Sequence, residues 1–130
     1  MTWTVLLHDE FVMEFVFMAQ DLQDELLAHA KLLTVFGPQL GRPTVDTLEG
    51  SKHTNMKELR LNWMSEVWRV AFAFDPARNA ILLVAGDKSG VDQRRFYKRL
   101  INLADQRYTD HLNASKEVHA KERKDGKKTK

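Results

Sequence analysis

An α+β domain is what the sequence predicts, and three observations carry that prediction. Apolar residues recur at intervals of three and four over residues 9–36, the period falls to two between Met56 and Phe74, and a helical period returns over about residues 91–112. An antiparallel sheet with two N-terminal helices and a C-terminal helix packed on one face accounts for all three.

Trp3-Thr4-Val5-Leu6-Leu7 is short, rich in β-branched and aromatic residues, and reads as a strand. Asp9 and Glu10 then sit where a helix start favours acids. Phe11, Val12, Phe15, Val16 and Met18 follow at helical spacing, which predicts a first helix over about 9–18. Leu22, Leu26, Ala30 and Leu33 form a second amphipathic stripe that stops at Gly37-Pro38. Residues 37–55 carry turn residues, with a short extended piece at Val45–Leu48. From Met56, Leu59, Leu61 and Trp63 alternate with Glu58, Arg60 and Asn62. Trp68, Val70, Phe72 and Phe74 likewise alternate with Arg69, Ala71 and Ala73, so two half-buried strands are expected, joined tightly near Met64–Glu66. Asp75–Asn79 is turn chemistry, and Ala80–Ala85 is apolar on both faces, as a central strand would be. Beyond Gly86-Asp87-Lys88-Ser89-Gly90, residues Phe96, Leu100, Leu103 and Tyr108 mark the last helix.

Two units are expected: a domain over 1–112 and a basic tail over 113–130. The tail has Val118 as its one sizeable apolar residue and should fray from helix into disorder.

The 130 residues hold 20 Lys and Arg against 18 Asp and Glu, and no Cys. The absence of Cys excludes disulfides, thiolate metal sites and a cysteine nucleophile. No apolar run is long enough to span a bilayer and no signal peptide is recognisable, so a cytoplasmic protein without membrane partners is expected. Residues 1–55 hold three basic and eight acidic residues (−5), residues 56–112 ten and seven (+3), and residues 113–130 seven and three (+4). The basic excess is thus confined to the second half, where a polyanionic partner would bind.

Because side chains alternate along a strand, Glu58, Arg60 and Arg69 must share the face opposite the leucines. Lys88 is delivered by the loop after the third long strand, and Arg94, Arg95, Lys98 and Arg99 open the last helix nearby; Lys57 adds to the basic set. Arginine forks bind phosphate bidentately, which suits a nucleic-acid backbone. Surface salt bridges among these residues are the competing expectation. His53 and Tyr108 are further acid–base candidates. The five histidines show no paired ligand spacing, so no metal or other cofactor is expected. Gly86–Gly90 resembles a phosphate loop in composition but lacks the span of a nucleotide-triphosphate loop.

Met56-Lys-Glu-Leu-Arg60, Val67-Trp-Arg69-Val-Ala-Phe72, Gly86-Asp-Lys88-Ser-Gly90 and Arg95-Phe-Tyr97-Lys-Arg-Leu100, in that order, resemble the RelE/HigB family of toxins of type II toxin–antitoxin systems. The resemblance covers about residues 1–112. It implies the small RelE-like fold and a ribosome-dependent mRNA endoribonuclease that works without a metal and arrests growth. The partners implied are the ribosome, mRNA and a cognate antitoxin of helix-turn-helix type, through which the complex can bind its operator DNA. It also implies that Arg69 contacts the scissile phosphate and that Lys88 holds the basic position after the glycine. Tyr97 or Tyr108 would be the aromatic residue that orients substrate. In the best-studied ribonucleases of that family a lysine stands about where this chain has Glu58. A ParE-like gyrase inhibitor of the same fold and a non-catalytic RNA- or DNA-binding module are the alternatives.

Overall fold

The structure is a computed structural model; it describes residues 2–128, with side chains described through residue 117. Its elements are β1 (Thr4–Leu7), α1 (Asp9–Phe15), α2 (Gln20–Phe36), a 3-10 turn (Gly37–Gln39), β2 (Val45–Thr47), β3 (Met56–Trp63), β4 (Glu66–Phe74), β5 (Asn79–Asp87) and α3 (Gln93–Lys128). The five strands form one sheet in the order β1-β5-β4-β3-β2. The fold class is the α+β arrangement the sequence predicts, with two differences in detail.

The first is that the sheet is mixed. β2, β3, β4 and β5 pair antiparallel, but β1 runs parallel to β5, from Thr4 opposite Asn79 to Leu7 opposite Leu82. Local alternation reveals a strand but not its direction relative to a neighbour more than seventy residues away. The second is that the helices do not share a face. Phe11, Leu22, Leu26, Ala30 and Leu33 pack against Leu59, Leu61, Val70, Phe72 and Leu82. Leu100, Ala104 and Tyr108 of α3 pack instead against Met56, Ala71, Ala73, Ile81 and Leu83 on the reverse side. Ala71 and Ala73 are small enough for a helix to lie close over them. A strand apolar on both faces, as β5 is, needs a cover on each.

α1 ends at Phe15, three residues earlier than the periodicity suggests. The amides of Phe17 and Met18 bond back only three residues, and Gln23 Nε2 donates to the carbonyl of Phe15 at 2.7 Å. These contacts satisfy the end of the helix and stop it. α2 closes at Gly37, whose φ of 54° is left-handed and whose Cα is so close to the Trp3 ring that any Cβ would clash. α3 runs to Lys128 without interruption, so the expected boundary near residue 112 does not coincide with a helix end.

Where the pairing of β1 stops at Leu82, α1 continues beside the open edge of β5. The His8 amide takes the carbonyl of Leu82, and Arg107 of α3 donates to that of Leu83. Arg107 is buried and reaches around this edge to grip Glu14 through two nitrogens at 2.8 and 2.6 Å, with Glu10 at 3.3 Å from Nε. The guanidinium fork thus ties α1 to α3. Among the described residues, no helix is long and apolar enough to cross a membrane.

Candidate active site

Strand register builds the site. Arg60 and Arg69 are direct cross-strand partners in β3 and β4, and Glu58 is opposite Ala71, one diagonal step from Arg69. On the other side of β4, Arg69 is opposite Gly86. Gly86 leaves a notch into which Phe96 closes, since a Cβ there would meet the ring at 3.0 Å. With Phe96 seated, Tyr97 reaches β3, and its hydroxyl donates to Glu58 Oε1 at 2.8 Å.

Glu58 and Arg69 are buried, at 7% and 5% exposure. Arg69 Nε lies 3.4 Å from Glu58 Oε1, an ion pair without hydrogen-bond alignment, and Nε has no hydrogen-bond partner. Nη1 donates to the carbonyl of Trp68 at 3.0 Å. A buried donor without an acceptor is uncommon in folded proteins, and like charges directly opposite on a sheet are unfavourable. Both features are costs to the folded protein.

Lys88 is placed by Asp87. Asp87 Oδ1 accepts from the amides of Val67 (3.1 Å) and Ser89 (3.0 Å) and from Ser89 Oγ (2.6 Å), and the Lys88 amide donates to the carbonyl of Val67 at 2.8 Å. This Asx-type turn holds Lys88 Nζ over the Tyr97 ring, 5.7 Å from its centre. Partial burial and then the charge of Arg69 lower the Lys88 pKa, against an opposing pull from Glu58. Burial and the hydrogen bond to Glu58 raise that of Tyr97, so its hydroxyl keeps its proton. Glu58, Arg60, Lys88, Arg94 and Tyr97 line an open cleft of about 620 Å³.

The structure therefore brings together Arg60, Arg69, Lys88, Tyr97 and Arg94 from the sequence-derived set. It does not bring in the others. Lys57 is opposite Phe72 and so lies on the face away from the arginines. Arg95 and Arg99 occupy the other flank of α3, and Lys98 shares a shallow depression with them and Asn102. Tyr108 is eleven residues along α3 from Tyr97, about 16 Å at the helical rise. It is buried, donating to the carbonyl of Phe74 and stacked edge-on with His53, whose Nε2 is 3.1 Å from Thr109 Oγ1. His53 and Tyr108 belong to a closed polar network rather than to the cleft. Two residues that shape this arrangement, Glu58 and Asp87, escape the sequence-derived set. Glu58 has a signal, since alternation already sets it beside both arginines, and Asp87 has one in the Asp-x-Ser spacing of an Asx turn. Among the described residues, no group of three or more His, Asp or Glu is placed to hold a metal ion.

A family profile described as "Phage derived protein Gp49-like (DUF891)" matches residues 13–109, most of the chain. The chain belongs to this Gp49-like family. Two provisionally named toxins of Mycobacterium tuberculosis (strain ATCC 25618 / H37Rv) are similar to this Gp49-like chain. HigB2 is 46% identical over 101 residues, 76% of this chain and 49% of its own length. HigB3 is 45% identical over 98 residues, 75% of this chain and 83% of its own. The chain thus spans about half the length of HigB2. Among solved structures, E. coli toxin RelE, as a double arginine-to-alanine mutant in the free state, superposes with a TM-score of 0.54. It is 9% identical, and the match covers 78% of this chain and 95% of RelE, so what the two share is the fold. By its relatives this Gp49-like chain is a homologue of HigB toxins, built on a RelE-like fold.

Proposed function

We propose that the chain is the toxin of a toxin–antitoxin pair and cleaves mRNA on the ribosome, in the cytoplasm. The observation that carries the reading is the convergence of Arg60 and Lys88 on one cleft lined also by a carboxylate and a phenol, with the buried Arg69 paired to that carboxylate behind them. RNA cleavage by its own 2′-hydroxyl needs a proton acceptor, cations around the phosphorane, and a proton for the leaving 5′-oxygen. Glu58 is the acceptor: Oε1 is occupied by Tyr97 and Arg69, leaving Oε2 for the 2′-hydroxyl proton. Arg69 and Arg60 meet the equatorial oxygens, each contributing about 10²–10³-fold if it behaves as an oxyanion-hole donor does. Lys88, whose pKa is lowered, adds charge and releases a proton to the departing 5′-oxygen, leaving a 2′,3′-cyclic phosphate and a 5′-hydroxyl. Tyr97 stays protonated and orients Glu58. Arg94 at the cleft mouth extends the contact along the RNA backbone.

The test is translation of a defined mRNA in vitro with the purified chain, mapping new 5′ ends. Cuts that require ribosomes and vanish with Arg69→Ala are expected. Intact mRNA alongside folded protein overturns the reading, and accumulation of gyrase-cleaved DNA without mRNA cuts would favour the ParE-like alternative.

A further inference from the structure

A second surface lies on the other flank of α3. β1 pairs with β5 only as far as Leu82, and His8 and Arg107 take the next two carbonyls. Beyond them, no described strand pairs with Val84–Asp87 on that side, so four residues of sheet edge stand open. An open edge is a template for another strand. This one forms the floor of a groove of about 730 Å³ with an apolar wall on each side. Trp63, Trp68 and Phe17 stand on the α2 side, and Val91, Phe96 and Leu103 on the α3 side. Phe17 is 86% exposed and Val91 51%. Above the α3 wall stand Arg95 and Arg99, one helical turn apart, exposed and without an ion pair among the described residues.

We infer that this groove takes an extended segment of a partner protein, added as a strand to the Val84–Asp87 edge. Side chains of a strand alternate, so every second residue of the guest, apolar, falls against the Trp63/Trp68/Phe17 wall, while the residues between them turn to the α3 wall. Four paired residues span about 13 Å, and carboxylates on the guest meet Arg95 and Arg99. A helix would leave the edge amides and carbonyls unmatched, which is why a strand is the better occupant. The inference deepens the proposed function in one respect. The first turns of α3 form one wall of this groove and, through Tyr97 and Arg94, one wall of the cleft, so a guest held here sits within a helix diameter, about 10 Å, of the RNA site. A neutralising partner could thereby block the cleft without entering it.

The test uses the full chain and two acetylated nine-residue peptides, one alternating Val with Glu and one alternating Val with Lys. The Glu peptide should shift the tryptophan emission and slow amide exchange of Val84–Asp87. Phe17→Glu and Arg99→Glu should each weaken its binding at least tenfold. Failure of the Glu peptide to bind, or equal binding of the Lys peptide, overturns the inference. So does self-association of the chain through this edge, read as concentration-dependent sedimentation that Phe17→Glu abolishes. None of these readouts depends on RNA cleavage, so the groove and the ribonuclease reading can fail separately.

Discussion

The reverse face of the sheet, under α3, holds two polar clusters about three helical turns apart, and they are built on opposite terms. At the far end, Asp75 accepts from the amides of Ala77 and Asn79, from Asn79 Nδ2 and from His111 Nε2, all at 2.8–3.0 Å. Asp105 accepts from Ser51 Oγ and from the Lys52 amide, and Asn55 bridges the carbonyl of Phe74 and Tyr108. At the cleft end, a buried guanidinium N–H has no acceptor, two arginines oppose each other, and a lysine is held nearby at a lowered pKa. One cluster is saturated by its own chain and the other is left incomplete. Satisfied polar networks fix a fold, and unsatisfied ones at a concave surface mark where a ligand completes them.

The contrast can be broken most directly at Glu58. Glu58→Gln keeps an acceptor for Tyr97 but removes the base, and cleavage per folded molecule should fall by about 10²–10⁴-fold, with a lower melting temperature because buried Arg69 loses its ion partner. Cleavage that survives this change would make Glu58 a clamp. Next comes Asp87→Ala, which frees the Lys88 loop; a loss of about 10- to 100-fold, mostly in kcat, is expected from misplacement alone, and Asp87→Asn should recover part of it. At the far end the outcome should reverse. Asp75→Ala leaves several buried donors unmatched and should cost about 1–3 kcal/mol in urea unfolding, with cleavage per folded molecule unchanged.

The acid dependence follows from the same residue. Burial alone would raise the pKa of Asp75, but the hydrogen bonds from His111 and Asn79 outweigh it, and the folded value lies below the ordinary one. Its stabilisation is therefore fully present above about pH 4 and fades as pH falls through the depressed folded value. Asp75→Asn should remove that part of the acid limb. A smaller shift is expected in the activity profile. Because Lys88 loses its proton below the ordinary lysine value of about 10.4, cleavage should fall on the alkaline side earlier than an unperturbed lysine dictates. Lys88→Arg should move that limb upward if charge is the dominant role. The smallest effect should come from the exposed Arg42–Asp46 pair at 2.8 Å, where Arg42→Ala is expected to leave thermal unfolding unchanged.

Much of this molecule is legible in the chain itself. Periodicity alone locates all three helices and the three long strands, because burial on one face imposes spacings of 3.6 and two. Alternation by itself sets Glu58, Arg60 and Arg69 on one face, and turn residues bound each element. The division of charge also points to the second half, which supplies Arg60, Arg69, Lys88 and Arg94.

What only the tertiary structure decides is which of these residues meet. Lys57 counts with the basic set by sequence although its register puts it on the other face. Tyr108 and Tyr97 are equal candidates by sequence, and helix docking separates them by putting Tyr97 over Glu58 and Tyr108 under Phe74. The parallel pairing of β1 with β5, and with it the open edge beyond Leu82, depends on a contact between segments far apart in the chain. Sequence patterns report each residue's local environment, buried or exposed, at one spacing or another. A site is a set of distances between elements, fixed by register, by the Gly86 notch that seats Phe96, and by the side of the sheet on which each helix finds its apolar partner.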